Sequence, residues 1–351
     1  MAYTPHDVIK PEKIAATAAV ALEEALVVPA VFQREGIDQF KGTKNDTINV
    51  KVEGVLPFRT YGFRNDRSKP IEFDTYHEKT VAVSFAGDIY SAVQLTDEQN
   101  DFDLQGWAKL MAKQTEAVGR GLEFQAVDYL LGQKFPVTLG GQVANRSLRR
   151  TLIRARDVLN KFRIPKESRT LLVGTDWETE LLADPDLNLA SNVGESEAVS
   201  ALKEATLGRR YGFNIVVSNE LPSDKAIAMT QSAFIFATGA PSVPQSVPFG
   251  ASASYNGVAL RWVRDYDANY LVDRSVVNTF KGFRSVTDIL MGRDAVTGQA
   301  FVSEHEHFVR AISLDLDADA DVLPDPDGPD PVEQELAAIT GVAATADGAS
   351  V

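Results

Sequence analysis

The chain has 351 residues, 44% hydrophobic and 24% charged, enough to bury a sizeable core in two or more lobes. It has no cysteine, which excludes disulfides, thiolate metal sites and cysteine nucleophiles, and its most apolar early run, 14–28, is interrupted by Glu23 and Glu24, which argues against a signal peptide or membrane span. Ten acidic residues and no Lys or Arg lie from Asp315 onward, so of the net charge of -14 the remaining 39 acids and 35 bases leave only -4 on the body, without the basic stripe of a nucleic-acid binder.

The first 38 residues read as an arm. Ile14, Ala18, Ala21, Leu22, Ala25 and Leu26 make a narrow helical stripe that Pro11 starts and Pro29 stops, suited to docking on another surface. Residues 47–53 alternate Ile48, Val50 and Val52 with polar neighbours and predict a strand. An aperiodic loop, charged and aromatic, follows at 54–70. Beyond it Ile71, Phe73, Val81, Val83, Phe85, Ile89, Val93 and Leu95 all fall on odd positions, the mark of a half-buried strand, bent near Gly87. The two runs predict a long hairpin whose tip exceeds what a compact domain needs.

Thr96, Asp97, Glu98 and Gln99 predict a capping box and the start of a helix. Leu104, Trp107, Leu110, Met111, Val118, Leu122, Ala126, Tyr129 and Leu130 carry its apolar stripe to Leu131, and Gly119 and Gly121 within it predict close approach of another backbone. This helix is roughly 50 Å long and the strand before it could reach about 80 Å. A globule of this chain length has a radius of gyration of only about 20 Å. The two elements therefore span the body or project from it onto something outside the chain.

After a turn region at 132–145, a helix over 147–162 places Leu148, Leu152, Ala155, Val158, Leu159 and Phe162 on one face and Arg149, Arg150, Arg154, Arg156 and Lys161 on the others, as in an ordinary solvated helix. A strand at 169–174, helices at 176–183 (capped by Asp176) and 196–207, and strands at 213–218 and 226–238 make a mixed α/β lobe, bounded by Pro241, Pro244 and Pro248. Only strands follow, at 257–267, 270–283 and 300–316, and the long helix is their available packing surface. The acidic, proline-rich stretch 315–331 predicts a disordered or extended tail, and 332–339 two helical turns.

No nucleophile elbow, Walker loop, HExxH or dinucleotide glycine pattern is present. His305 and His307 share a strand face but lack a visible third ligand, and Asp315, Asp317 and Asp319 have the alternate spacing of a calcium loop with Ala320 where glycine is needed. The residues predict no catalytic, cofactor-binding or metal site and no enzyme.

The stretches LPFRTYGFRNDRSKPIEFDTYHEKTVAVSFAGDIYSAVQLTDEQ, IPKESRTLLVGTDWETELL, YGFNIVVSNELP and ALRWVRDYDANYLVDRSVVNTFKG, in this order, resemble the major capsid proteins of tailed bacteriophages, especially those of phages infecting actinobacteria. The resemblance covers about residues 10–315 and implies an α+β fold of the Hong Kong ninety-seven type. Its parts would be an N-terminal arm (1–38), an extended β-hairpin loop (39–95), a peripheral domain with a long spine helix (96–146) completed by return strands (251–315), a mixed α/β axial domain (147–250), and an acidic flexible tail (316–351). It implies a structural virion protein, assembled in the host cytoplasm, whose hexamers and pentamers form an icosahedral shell around double-stranded DNA that it does not read by sequence. Arg59, Tyr61, Phe63, Arg64, Asp66, Arg67 and Lys69 are the candidate inter-subunit contacts. Further partners are a portal, a separate scaffolding protein, since no long helical segment precedes the arm, and optionally a decoration protein. No membrane and no cofactor enters. The alternatives are the shell of a cellular nanocompartment with the same fold and, from another class, a soluble hydrolase with an unrecognised site.

Overall fold

The computed structural model describes residues 11–24, 26–35, 47–52, 56–59, 70, 73, 79–99, 107–144, 146–183, 208–247, 249–293 and 300–344. Their elements are α1 (Pro11–Glu24), β1 (Gln33–Glu35), β2 (Thr47–Val52), β3 (Lys79–Ser84), β4 (Gly87–Thr96), α2 (Trp107–Leu131), β5 (Thr138–Gly140), α3 (Leu148–Lys161), β6 (Arg169–Val173), α4 (Thr175–Ala183) and β7 (Arg209–Arg210). They continue with β8 (Phe213–Val217), β9 (Lys225–Thr230), β10 (Phe234–Gly239), β11 (Phe249–Tyr255), β12 (Val258–Asp267), β13 (Val272–Ser285), β14 (Met291–Arg293), β15 (Ala300–Val302), β16 (Ala311–Asp315) and α5 (Pro331–Thr340). The expected helix at 196–207 and most of the loop at 54–70 lie outside the described residues. Two units emerge: Met1–Asn49, Ala82–Gly132 and Phe234–Arg284 form the first, and Val50–Val81, Gln133–Ala233 and Ser285–Val351 the second.

The first unit is a sheet of order β1-β10-β13-β12-β11, with β4 on the other edge of β13. The long alternating run divides at Phe85 and Ala86. β3 pairs with β2, whereas β4 runs antiparallel to β13 from Thr96↔Val272 to Gly87↔Lys281. Odd positions of β4 point inward and even ones outward, as the period requires. β11 precedes the first of the return strands expected from the sequence, at 257–267. An Asn256-Gly257 turn, both residues at positive φ, joins β11 to β12, the two-residue connection that matches strand twist. A Cβ at Gly257 would also lie 2.9 Å from that of Arg34.

The capping box forms: the Gln99 amide donates to Thr96 Oγ1 (3.4 Å), and the Thr96 amide to Gln99 Oε1 (3.3 Å). α2 then packs on β4, and at Gly121 the neighbour is the Ile89 side chain, 3.4 Å from where a Cβ would sit, not a second backbone. The buried face of α2 is not wholly apolar. Gln114 is buried and its Nε2 donates to Ser91 O (3.1 Å) and Ser275 O (3.0 Å); Ser275 Oγ donates to Gln114 Oε1 (2.7 Å) and accepts from Trp262 Nε1 (2.9 Å). Every member of this buried network is bonded, so it fixes the helix on the sheet at one register.

α1 docks within its own unit, against β11, β12 and α2, with Ala15, Ala18, Ala19 and Leu22 buried and Ala21 exposed. Behind it the buried Glu123 carboxylate of α2 accepts the Val27 (3.1 Å) and Val28 (2.9 Å) amides. Glu123→Ala would leave two amides without that acceptor and is expected to cost about 1–3 kcal/mol, read as a lower denaturation midpoint.

The second unit is built on a mixed sheet of order β5-β16-β9-β6-β8-β7. Leu152, Ala155, Val158, Leu159 and Phe162 of α3 cover it, with Trp177 and Leu181 of α4, so the apolar face expected for α3 is its core face. The run at 226–238 is not one strand. A 3-10 turn, Gln231–Ala233, ends β9 in this unit and starts β10 in the other, so the division falls there and not at the proline loop 241–248. The run at 300–316 also breaks, and β16 pairs with β9 and β5 in the sheet of this unit.

The largest correction concerns 316–344, expected as a flexible tail. Gly140 and Gly141 admit its backbone: Cβ atoms there would lie 2.5 Å from Ala318 O and 2.5 Å from Leu316 O. The Gly141 amide donates to Asp315 O (2.7 Å), that of Gln142 to Ala318 O (3.0 Å), and Thr138 and Val322 exchange two bonds. Asp321 takes both arms of Arg146 (2.8 and 2.5 Å) and the Gly140 amide (3.0 Å). Burial alone would raise the Asp321 pKa, but these donors hold it below the ordinary carboxylate value. Asp330 then caps α5, Gly341 ends it at φ 65, and Leu336 and Val342 enter the core.

His305 and His307 are not on one strand face. Both rings meet the α5 carboxylate Glu335, His305 Nδ1 at 3.0 Å and His307 Nε2 at 3.2 Å from Oε2, while the Glu304 and His305 amides donate to the same group (2.6 and 3.1 Å). His307 is buried with Nδ1 unpartnered. Burial lowers its pKa against the opposing pull of Glu335, and Glu335 also stands below its ordinary value, its donors outweighing its own desolvation. Both depressed values give the same sign. The stability held by His307 is complete above about pH 6.5 and is lost as pH falls below it, and that held by Glu335 goes at still lower pH, below about 4.5. Protection factors of the α5 amides, taken relative to the intrinsic exchange rate at each pH, are therefore expected to be lower at pH 5.5 than at pH 7.5; equal protection would contradict this.

Candidate assembly surfaces

Of the residues singled out from the sequence, Arg59 is described and exposed, beside exposed Leu56 and Phe58. Tyr61, Phe63, Arg64, Asp66, Arg67 and Lys69 lie outside the described residues. Phe73, expected to face inward, is 93% exposed, so the period-two pattern does not mark a covered face there.

In the first unit the end of the β12-β13 hairpin is a surface that the sequence reading passed over. Tyr270 is 77% and Leu271 61% exposed, with Tyr266 exposed beside them. The turn beneath them is held: Asp267 Oδ1 accepts the Asn269 amide (3.0 Å), Asp267 O accepts that of Tyr270 (3.3 Å), and Arg274 pairs with Asp267 (3.2 Å). Leu271 sits at φ 52, a left-handed conformation that a branched apolar residue adopts only when its surroundings impose it. A fixed turn presenting a tyrosine and a leucine to solvent has the composition of an interface anchor. The signal was present in Asp265-Tyr266-Asp267-Ala268-Asn269-Tyr270-Leu271: turn formers flanked by aromatics at the end of a strong strand pair. Just below, the Arg264 guanidinium lies 4.1 Å over the Trp107 ring and bonds Asp273 (2.6 Å), tying the start of α2 to the hairpin.

Among the described residues no group of three or more His, Asp or Glu side chains is arranged to hold a metal ion, and no helix is long and apolar enough to cross a membrane. The exposed chemistry is that of contact: aromatic and aliphatic groups on turns and outward strand faces, with Tyr90 of β4 among them. The sequence pattern of the phage capsid protein family matches residues 83–328, reaching from β3 to the acidic segment. The chain belongs to the phage capsid protein family. Its fold is that of the Hong Kong ninety-seven type capsid proteins. A structure from Mycobacterium phage Che8 is similar to it at a TM-score of 0.56 and 15% identity, over 82% of this chain and 90% of that one. The mature capsid of bacteriophage PhiM1 is similar at 0.53 and 10% identity, over 83% and 87%. The capsid of a native GTA particle is similar at 0.52 and 8% identity, over 91% and 94%. No curated protein sequence matches the chain. As a major capsid protein of this family it is a structural subunit that builds an icosahedral shell.

Proposed function

We propose that this capsid protein forms hexamers and pentamers that close around double-stranded phage DNA, in a virion assembled in the host cytoplasm with a portal and a separate scaffolding protein. The observation that carries the reading is the family match over 83–328, which takes in most of the sheet of each unit. The first unit, with α2 as spine, acts as the peripheral domain, and the second as the axial domain that meets its copies on the symmetry axes. The β2-β3 hairpin and its tip, with Arg59, Tyr61, Phe63, Arg64, Asp66, Arg67 and Lys69, reach over an adjacent subunit, while Tyr270 and Leu271 anchor a second contact. A body near neutrality, at -4 without the acidic C-terminal stretch, suits a container that encloses DNA without gripping it.

Two measurements test this. Particles treated with nuclease are expected to hold double-stranded DNA; a protein cargo in its place would make the shell a compartment of another kind. Limited proteolysis of the unassembled subunit is expected to cut first within 59–69, and assembly to protect those bonds. A tip that resists protease in the free subunit would mean that the hairpin packs at home.

A further inference from the structure

The outward face of α3 carries Arg149, Arg150, Ile153 and Arg156, all exposed, with Ile153 46% exposed at the centre. The helix's own carboxylate, Asp157, is shared by Arg154 (3.1 Å) and Lys161 (3.6 Å). Among the described residues Arg150 and Arg156 have no carboxylate within 4 Å. Behind them stands a third cation without a carboxylate partner among the described residues. Arg169 is 3% exposed, and its guanidinium is satisfied by neutral acceptors alone, Pro165 O (2.8 Å), Ile164 O (2.5 Å) and Asn160 Oδ1 (3.0 Å). Burial and, after it, the nearby charge of Arg156 depress the Arg169 pKa. A buried guanidinium beside a second one, with no anion supplied by either neighbour, leaves a field that a carboxylate from outside would relieve.

The same unit offers the complement. Asp317, Asp319, Asp325 and Asp327 are exposed on the 316–330 segment, none with a cation within 4 Å among the described residues, and Val322 between them is 65% exposed. The segment is held rigidly by Arg146 and Gly140, so these carboxylates are presented without the ordering cost of a loose tail. One face is cationic around an isoleucine and the other anionic around a valine. Each has the apolar centre and charged rim of a contact surface, with opposite signs.

We propose that the Arg150-Ile153-Arg156 face of α3 takes the acidic 317–327 segment of a second copy of this chain, Val322 lying against Ile153. The contact is heterologous, one patch meeting a different patch on the next subunit, which is the arrangement that closes rings. It rests on the reading of the chain as a shell subunit and supplies that shell with a salt-sensitive contact.

The test uses the full chain. Arg150→Glu with Arg156→Glu, and separately Asp317→Lys with Asp319→Lys, are each expected to raise the protein concentration needed for assembly in 0.15 M salt by about ten-fold or more, an effect that shrinks in 1 M salt. All four substitutions together restore assembly, and none of them lowers the melting temperature of the unassembled subunit. Three outcomes would overturn the proposal: single-sided reversal that assembles like the parent, reversal that leaves assembly intact but reduces packaged DNA, which makes the partner nucleic acid, or a lowered melting temperature of the free subunit, which makes the contact internal. Assembly of the unsubstituted protein is the control, since its failure would remove the shell reading itself.

Discussion

Asp321→Ala is expected to destabilise the second unit by about 3–5 kcal/mol. The substitution strips a guanidinium that is only 14% exposed of its one carboxylate, itself 8% exposed, and leaves the Gly140 amide without its acceptor. The same residue fixes the segment that carries Val322 across Thr138 and leads to α5. Loss of the pair should therefore loosen everything from Leu316 to Val342 before the sheet itself melts. Denaturant unfolding followed by amide exchange reads both parts. A cost below about 1 kcal/mol, the ordinary value of an exposed ion pair, would mean that the segment is not docked.

Substituting Asp for both Tyr270 and Leu271 is expected to abolish assembly while leaving the unassembled subunit folded. The two side chains are largely exposed, so a charge there meets water in the free protein and removes little. In a contact, each replaced anchor would forfeit about 2 kcal/mol or more and bury a charge. Sedimentation of the assembly mixture beside a melting curve of the subunit separates these effects. Full assembly of the doubly substituted protein would show that the hairpin end faces solvent in the shell.

What the sequence disclosed follows from how local each signal is. The capping box at Thr96, the odd-even phase of β4 and the apolar face of α3 depend on neighbours within one turn or one pleat, and all three stand in the structure. The division of 226–238 does not. Two apolar runs, 226–229 and 233–237, are separated only by Thr230, Gln231 and Ser232, and the three-residue turn at Gln231 sends the two halves to different sheets. The acidic segment was misread for a related reason. Its composition is that of a solvated tail, and what folds it is a pair of glycines and one arginine about 175 residues earlier in the chain. Gln114 lies on the helical stripe as a polar residue, a visible signal of the network it makes with Ser275 and Trp262. The hairpin end was legible as a turn, but the exposure of its tyrosine and leucine was not, because strand propensity does not distinguish a covered aromatic from a presented one.

The central claim is that this chain builds a closed shell from copies of itself. Electron microscopy of the purified full-length protein, concentrated and screened over salt and scaffold conditions, tests it most directly. Closed icosahedral particles, or the five-fold and six-fold capsomers from which they form, are the expected result. A monodisperse monomer that never assembles under any of these conditions would contradict it.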